Sequence, residues 1–358
     1  MARMDMTGAM TKAAFWSGKR VLVTGHTGFK GAWLSLWLAD MGAQVFGLAL
    51  APDTDPALFD QLAIRDRVDH AEIDLRDAEG VTARIQAVAP DIVFHLAAQP
   101  LVRRSYARPA ETWATNVQGT VHVLDAIRMA DRPCTIIVST TDKVYQNREW
   151  VHGYRESDRL GGHDPYSASK AATELVISSY RDAFFAGGKV KLASARAGNV
   201  IGGGDWAEDR IVPDIVRGLR DGRAIEVRNP RATRPWQHVL EPLSGYLSYA
   251  EHLHGGSVPV SLNFGPDPSA NRPVSDLLDV ALRHWPGEWR DVSDGNQVHE
   301  AGRLALSIEL ARDALGWMPR WRFEDAVAQT IDWYRMVDEG ADPLATTRAQ
   351  IAAFEAGA

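Results

Sequence analysis

Short apolar or β-branched runs alternate along the chain with longer stretches in which apolar residues recur every three or four positions. Arg20–Thr24, Gln44–Leu50, His70–Asp74, Asp91–Leu96, Cys134–Ser139 and Val190–Ala197 predict strands. Several are apolar throughout, as strands covered on both faces must be. Helical patterns near 31–41, 77–88, 109–129 and 165–186 lie between them. Strand alternating with helix predicts βαβ units with right-handed crossovers, and therefore an α/β fold built on a doubly wound parallel sheet.

After about residue 200 the pattern changes. Gly202-Gly203-Gly204-Asp205-Trp206 reads as a loop, followed by helical segments near 208–221, 240–254, 273–285 and 322–339. Shorter strands, Ala224–Arg228 and Val260–Phe264, sit among them. This predicts a smaller, mixed second domain over residues 199–340. The sheet domain takes 15–198 plus later returning segments, and residues 1–14 read as a frayed leader.

The first strand runs straight into Gly25-His26-Thr27-Gly28-Phe29-Lys30-Gly31 and then a helix. Gly25 permits a tight turn, Gly28 lets the backbone approach a pyrophosphate, and Gly31 lets helix and strand pack closely. The helix start then offers free N–H groups and the positive end of its dipole to phosphate. Gly25, Thr27, Gly28, Phe29 and Gly31 are thus candidate dinucleotide-binding residues. An acid ending the second strand would select NAD. Here that strand ends Leu48-Ala49-Leu50-Ala51, with no acid before Asp53 and no arginine for a 2′-phosphate. The choice between NAD and NADP is open at this point. Asp74 and Leu75, after the third strand, suit the adenine edge, and equally a helix N-terminus.

A second motif opens the helix near 165. Asp164 fits the N-cap, Pro165 the first helical position, and Tyr166 and Lys170 project from one face at i and i+4. A phenol of pKa about 10 is a poor base at neutral pH, but a nearby ammonium and an oxidised nicotinamide both favour the phenolate. A tyrosine–lysine pair downstream of a dinucleotide loop predicts hydride chemistry on a small molecule.

Bulk properties narrow the setting. The 358 residues are 45% hydrophobic and 24% charged, enough for a sizeable core. A net charge of −7 argues against a general nucleic-acid or anionic-membrane surface. The single cysteine, Cys134, opens an apolar run and reads as buried, so neither an internal disulfide nor a cysteine-based metal site is expected. No 18-residue apolar run exists, and residues 1–14 lack the apolar core of a signal peptide. A cytoplasmic location is expected, with no metal.

Taken together, Thr24–Gly31, His95-Leu96-Ala97-Ala98-Gln99, Asn116, Thr140–Tyr145, Tyr166 with Lys170, and Arg196–Asp205 resemble the extended short-chain dehydrogenase/reductase family from Lys19 to about Arg335. The resemblance implies a Rossmann domain, NAD, and a C-terminal domain that binds a nucleotide sugar. It adds Leu96, Ala97, Ala98 and Asn116 to the cofactor residues. Gln99, Asn199 and Arg234 become candidate substrate contacts, with His299 and Arg303 the weaker pair, since both also read as solvated surface residues. Thr141-Asp142-Lys143-Val144-Tyr145 is similar to the Thr-Asp-Glu-Val-Tyr of nucleotide-sugar 4,6-dehydratases, with lysine for glutamate. With Gly202–Trp206 and Arg234–His238, it points to the branch acting on CDP-linked glucose.

That branch implies Tyr166 as the base at the carbon-4 hydroxyl, Asp142 as the acid, Lys143 as the carbon-5 base and Thr141 as a hydrogen-bond partner of the sugar. Asp142 must then be protonated and Lys143 neutral, the reverse of their states in water. An epimerase or reductase of the same family, a dehydratase for dTDP-, GDP- or UDP-sugars, and a non-catalytic dinucleotide-binding scaffold are the rival readings. The family also implies a homodimer or homotetramer, paired through the helices near 109–129 and 165–186.

Overall fold

The structure, a computed structural model, describes residues 13–293 and 304–357. Six parallel strands form the central sheet: β1 (Arg20–Thr24), β2 (Gln44–Leu48), β3 (Ile92–His95), β4 (Cys134–Thr141), β5 (Val190–Ala197) and β6 (Ser261–Phe264). Their order is β6-β5-β4-β3-β1-β2, with Val21 beside both Val45 and Ile92. The order reverses direction after β1 and β2, which leaves a crevice at the carboxyl ends of β1 and β3.

Both faces of the sheet are covered, so successive residues of one strand enter different cores. Leu22, Val93, Ile136 and Leu192 pack with α2 (Ala78–Val88), α3 (Gly119–Ala130) and α4 (Pro165–Tyr180). Val21, Val23, Phe94 and Ile137 pack on the other side with α1 (Phe29–Asp40) and α6 (Leu240–Gly255). Between α4 and α6 lies α5 (Ile211–Arg220). α7 (Val274–His284), α8 (Phe323–Asp338) and α9 (Pro343–Ala356) complete the longer helices.

Several elements differ from the sequence expectation. The strand expected over His70–Asp74 does not form a ladder. Asp69–Ile73 instead runs beside β2 through isolated bridges, Phe46 to Asp69 and Ala49 to Glu72. Its backbone still exchanges hydrogen bonds with Val45, Gly47 and Ala49, so the direction is right and the regularity is missing. β4 continues to Thr141, two residues past the expected end, which carries Thr140 and Thr141 onto the rim of the crevice. The helix expected over 109–129 is interrupted by a π-helical turn at Ala114–Gln118. Val260–Phe264, expected among the C-terminal elements, supplies β6 and pairs with β5.

Two segments tie distant parts together. Trp16, in the helical turn Ala13–Trp16, is fully buried and donates to Glu251 Oε1 at 2.8 Å. Helix α9, which periodicity did not single out, lies against α1. Trp37 Nε1 donates to Glu355 Oε1 at 2.8 Å, Arg348 pairs with Asp40 at 2.6 Å, and Phe354 meets Trp37 edge-on. Among the described residues no helix is long and apolar enough to cross a membrane, and no group of His, Cys, Asp and Glu could hold a metal.

Candidate active site

A cavity of about 1280 Å³ opens at the carboxyl ends of the strands, with the glycine loop on one flank and the 199–236 segment on the other. This exceeds what a single drug-sized ligand needs and suits two ligands bound together. Gly25, Thr27, Gly28, Phe29, Gly31, Asp74, Leu75, Leu96, Ala97, Ala98, Gln99, Thr141, Asp142, Lys143, Tyr166, Lys170, Asn199 and Arg234 all line it. Asn116 does not reach it, and His299 and Arg303 lie outside the described residues.

The glycine loop is fixed by close backbone approach. Gly25 has φ +73°, and a Cβ there would sit 2.8 Å from the backbone of Ala97. A Cβ on Gly31 would lie 2.0 Å from the Gly25 carbonyl oxygen. Gly28 differs: its nearest neighbour would be 3.5 Å away, and it is exposed on the cavity side. As N-cap of α1 it offers no side chain to the helix, so the first-turn N–H groups remain available to an anion. Thr24 joins the loop to β3: its hydroxyl accepts from the amides of Leu96 and Ala97, both at 3.1 Å, and lies 2.7 Å from His95 Nδ1. Thr27 donates to the Leu50 carbonyl at 2.9 Å. These residues fit a dinucleotide.

At the adenine end, Asp74 is held by its neighbour Arg76, whose guanidinium and amide donate to its carboxylate. Those hydrogen bonds keep the Asp74 carboxyl below its usual range. Leu75 packs against Gly119, and its carbonyl lies 2.7 Å from His122 Nδ1. Asn116 sits in the π-helical turn, buried. Its carboxamide accepts from the Gln99 amide at 2.7 Å and donates to Ser169 Oγ at 2.9 Å. It therefore braces the Gln99 loop against α4. Gln99 is spent similarly, bonding Thr112 and Leu101.

The reaction end is built from side chains on three elements. Asp164 caps α4 by accepting from the Ser167 amide at 2.9 Å, and Pro165 starts the helix, which aims Tyr166 and Lys170 at the cavity. Burial pushes the Tyr166 phenol up to about 12, against a hydrogen bond with Thr141 that pulls it down. Lys170 Nζ donates to the Ser139 carbonyl at 3.1 Å, and loss of water brings its ammonium down to about 8, with repulsion from Lys30 in the same direction. The phenolate that the sequence motif calls for thus requires more positive charge than the chain alone supplies.

β4 delivers the third group. Thr141 donates to Asp142 Oδ1 at 2.9 Å and caps the turn Asp142–Val144. Lys143 Nζ lies 3.3 Å from Asp142 Oδ1 and donates to Asn199 Oδ1 at 3.2 Å. The Asp142 side chain is almost fully buried, and a Cβ on Gly198 would approach its carboxylate to 3.2 Å. The acid and the amine that must exchange states therefore touch. Behind them, Glu174 and Arg196 form a buried pair at 2.8 Å, with Thr140 donating to Glu174 at 2.5 Å and Arg196 to the Tyr145 hydroxyl at 2.9 Å. This clasp holds both ends of the Thr141–Lys143 turn.

Other cavity residues escaped the sequence reading. Arg103 and Arg228 both pair with Asp209, and Arg210 pairs with Asp205 at 2.7 Å; all line the cavity beside Arg234, whose Nη1 donates to the Thr233 carbonyl. Arg103 lies on the short helix Val102–Ala107 and Arg210 and Arg228 on loops, with no shared motif. Lys30, inside the glycine loop itself, carried a signal: it is a lone cation in the otherwise apolar Phe29–Leu38 stretch.

A parallel, doubly wound sheet with a glycine loop, a tyrosine–lysine helix and an acid–amine turn around one cavity defines a dinucleotide-dependent enzyme of the Rossmann type. The family described as GDP-mannose 4,6 dehydratase matches residues 22–256. The CDP-glucose 4,6-dehydratase of Salmonella typhimurium is 46% identical over 95% of this chain and 97% of its own length. Among solved structures, a Bacillus anthracis dTDP-glucose 4,6-dehydratase in complex with NAD aligns with TM-score 0.73 at 20% identity, covering 90% of this chain and 99% of that one. A UDP-glucose 4-epimerase from Thermotoga maritima aligns with TM-score 0.77 at 20% identity, over 88% and 99%. The chain belongs to the GDP-mannose 4,6-dehydratase family, within the extended short-chain dehydrogenase/reductases that its motifs resemble.

Proposed function

We propose that the protein is an NAD-dependent hydro-lyase that converts CDP-glucose to its 4-dehydro-6-deoxy derivative and water. The observation that carries this reading is the contact of Lys143 with Asp142 beside Thr141 and Tyr166. An epimerase needs the tyrosine and lysine but not the acid–amine pair. The 46% identity to a CDP-glucose 4,6-dehydratase supports the choice of nucleotide.

The Gly25–Gly31 loop would hold the cofactor phosphates, with Asp74, Leu75 and Leu96–Ala98 along the adenosine and Tyr166 and Lys170 at the nicotinamide end. Held there, a nicotinamide would supply reversible hydride acceptance, between carbons 4 and 6 of the sugar. Tyr166, as phenolate, takes the proton of the carbon-4 hydroxyl. Moving one proton from Lys143 Nζ to Asp142 Oδ1 turns an ammonium and a carboxylate into an amine and a carboxylic acid, the states elimination needs. The Lys143 amine then takes the carbon-5 proton while Asp142 protonates the departing carbon-6 hydroxyl. Lys143 returns its proton to carbon 5. Across the cycle the proton gained by Tyr166 balances the one lost by Asp142.

Arg234 and Asn199 are the substrate contacts in this reading, within a sugar-binding part formed mainly by residues 199–340, while the Gln99 side chain stays bound to Thr112 and Leu101 in the wall. Leu175 and Phe184 are 64% and 56% exposed, and Met129 is 49% exposed, on or beside the two helices whose pairing would give a dimer or tetramer. The setting proposed is cytoplasmic synthesis of sugars for surface polysaccharide. The test is to incubate pure protein with NAD and CDP-glucose and follow loss of one water by mass spectrometry and the alkali-developed absorbance of a 4-keto-6-deoxy sugar. Absence of both products would refute the dehydratase reading, and equal turnover of dTDP- or UDP-glucose would refute the nucleotide. Light scattering that finds a monomer at micromolar concentration would refute the assembly.

A further inference from the structure

Lys30 is the residue of the glycine loop that phosphate binding does not explain. Its side chain turns from the first turn of α1 toward the reaction end of the cavity, which it lines. Its ammonium lies 3.4 Å from the Tyr246 hydroxyl and 5.5 Å from the centre of that ring. Tyr246 OH lies 3.1 Å from Ser139 Oγ, and the carbonyl of the same Ser139 accepts from Lys170 Nζ at 3.1 Å. Two residues, Tyr246 and Ser139, thus join the two lysines beneath the reaction end of the cavity. Neither forms an ion pair within 4.0 Å among the described residues.

The carboxylates that face this link are already engaged. Glu174, one turn after Lys170 on α4, is clasped by Arg196, and Asp142 by Lys143. Arg210, paired with Asp205, adds a further positive charge facing Lys30. Tyr166 on α4 and His95 on β3 complete the titratable groups near Lys170. Burial, with the charge of Lys170 beside it, holds the His95 imidazole down at about 3, so it contributes no charge. Asp142 pulls the Lys30 ammonium back up and Glu174 that of Lys170, but with both carboxylates held by other cations the repulsion between the two enclosed ammonium groups is not cancelled, so they titrate as a coupled pair.

We propose that Lys30 is a positioning residue for the proton-transfer set, acting through Lys170: its charge fixes the pH at which Lys170 loses its proton, and hence the upper pH to which a cation stands beside the Tyr166 phenolate. The argument rests on the Tyr166–Lys170 site being the working one, but not on the identity of the sugar nucleotide. Enclosure brings both ammonium groups down to about 8, which places the coupled titration just above neutrality.

The test uses the full-length protein without added ligand. Competitive acetylation across pH, read for each lysine by peptide mass spectrometry, gives the apparent pKa of Lys170 in the parent, in Lys30→Met and in Lys30→Arg. Lys30→Met should move Lys170 upward by about one unit, the size of effect a near charge produces. Lys30→Arg, whose charge persists, should leave Lys170 at or below its parent value. The alkaline limb of kcat/KM should move in the same direction as the labelling pKa. Should Lys30→Met fail to fold, Lys30→Gln keeps a donor for Tyr246 and removes the charge. An unchanged Lys170 labelling pKa in the neutral variants overturns the proposal, whatever happens to activity. If Lys170 shifts but CDP-glucose is not turned over by the parent, the proposal stands and the substrate reading falls.

Discussion

The two ends of the cavity are made of different material. The phosphate end is backbone: Gly25 and Gly31 exclude any side chain, and Thr24 fastens the loop to β3 through main-chain amides. The reaction end is ionisable side chains, Asp142, Lys143, Tyr166, Lys170 and Lys30, drawn from three elements and held by partners far away in sequence. A backbone site keeps one electrostatic character at every working pH. A site of enclosed ionisable groups is a set of coupled equilibria, in which each group's charge depends on the others. The first end can bind without adjustment, whereas the second does its chemistry because its charges can move.

The largest effect that would break this comparison is on turnover. Tyr166→Phe removes the phenol alone and should lower kcat by about a thousandfold or more, the upper range for a general base, while NAD affinity measured by fluorescence titration stays within about threefold. Loss of both together would mean the two ends are not separable. Next is the clasp behind the turn. Arg196→Met strands the buried Glu174 carboxylate and should cost about 3–4 kcal/mol in urea unfolding. Glu174→Gln with Arg196→Met together should recover a good part of it; no recovery would place the cost in packing instead.

Acid stability tests the same contrast through groups that never charge. His26, His95 and His238 are each held down to about 3, chiefly by burial, so they fold neutral. Unfolded, they take up protons below about 6.5, so their contribution is full above that pH and declines as pH falls toward 3. Each should cost about 2 kcal/mol at pH 5. A urea midpoint that holds steady from pH 7.5 to 5 would show that they are not enclosed as described. The smallest effect sharpens the phosphate end. Gly31→Ala should lower stability by about 1–3 kcal/mol, because its methyl collides with the Gly25 carbonyl. Gly28→Ala should change the melting temperature little and weaken only NAD binding, because its methyl would point into the cavity.

The same contrast explains what could be read from sequence. β1 and the glycine loop, and Asp164–Lys170, were legible because glycine spacing, an N-cap and an i, i+4 pair are local and have few alternative explanations. Asn116 was identified with the cofactor, yet its bonds to Gln99 and Ser169 show the same residue bracing the wall instead. Neither Arg210, which lines the cavity, nor Tyr246, buried beneath it, carried a signal, because their places follow from how α5 and α6 pack and not from any neighbour in the chain. His70–Asp74 reads as a strand from its place in the alternation of short runs and helical stretches; the observed segment Asp69–Ile73 keeps bridges to β2 without a ladder. Lys143 shows the opposite case. Its type and place were plain, but contact with both Asp142 and Asn199 depended on the chain returning 56 residues later.

Helix α9 sets the order in which the phosphate end can be completed during synthesis. The glycine loop leaves the ribosome long before α9, with α1 directly behind it. Among the described residues, Trp37 of α1 donates to Glu355 and meets Phe354 edge-on, and Asp40 pairs with Arg348. Until those residues emerge, the Trp37 indole N–H and the Asp40 carboxylate of α1 lack these partners. A nascent chain halted before α9 would carry every glycine of the dinucleotide motif and still grip the cofactor poorly. A segment made well before α9 is finished only when α9 arrives.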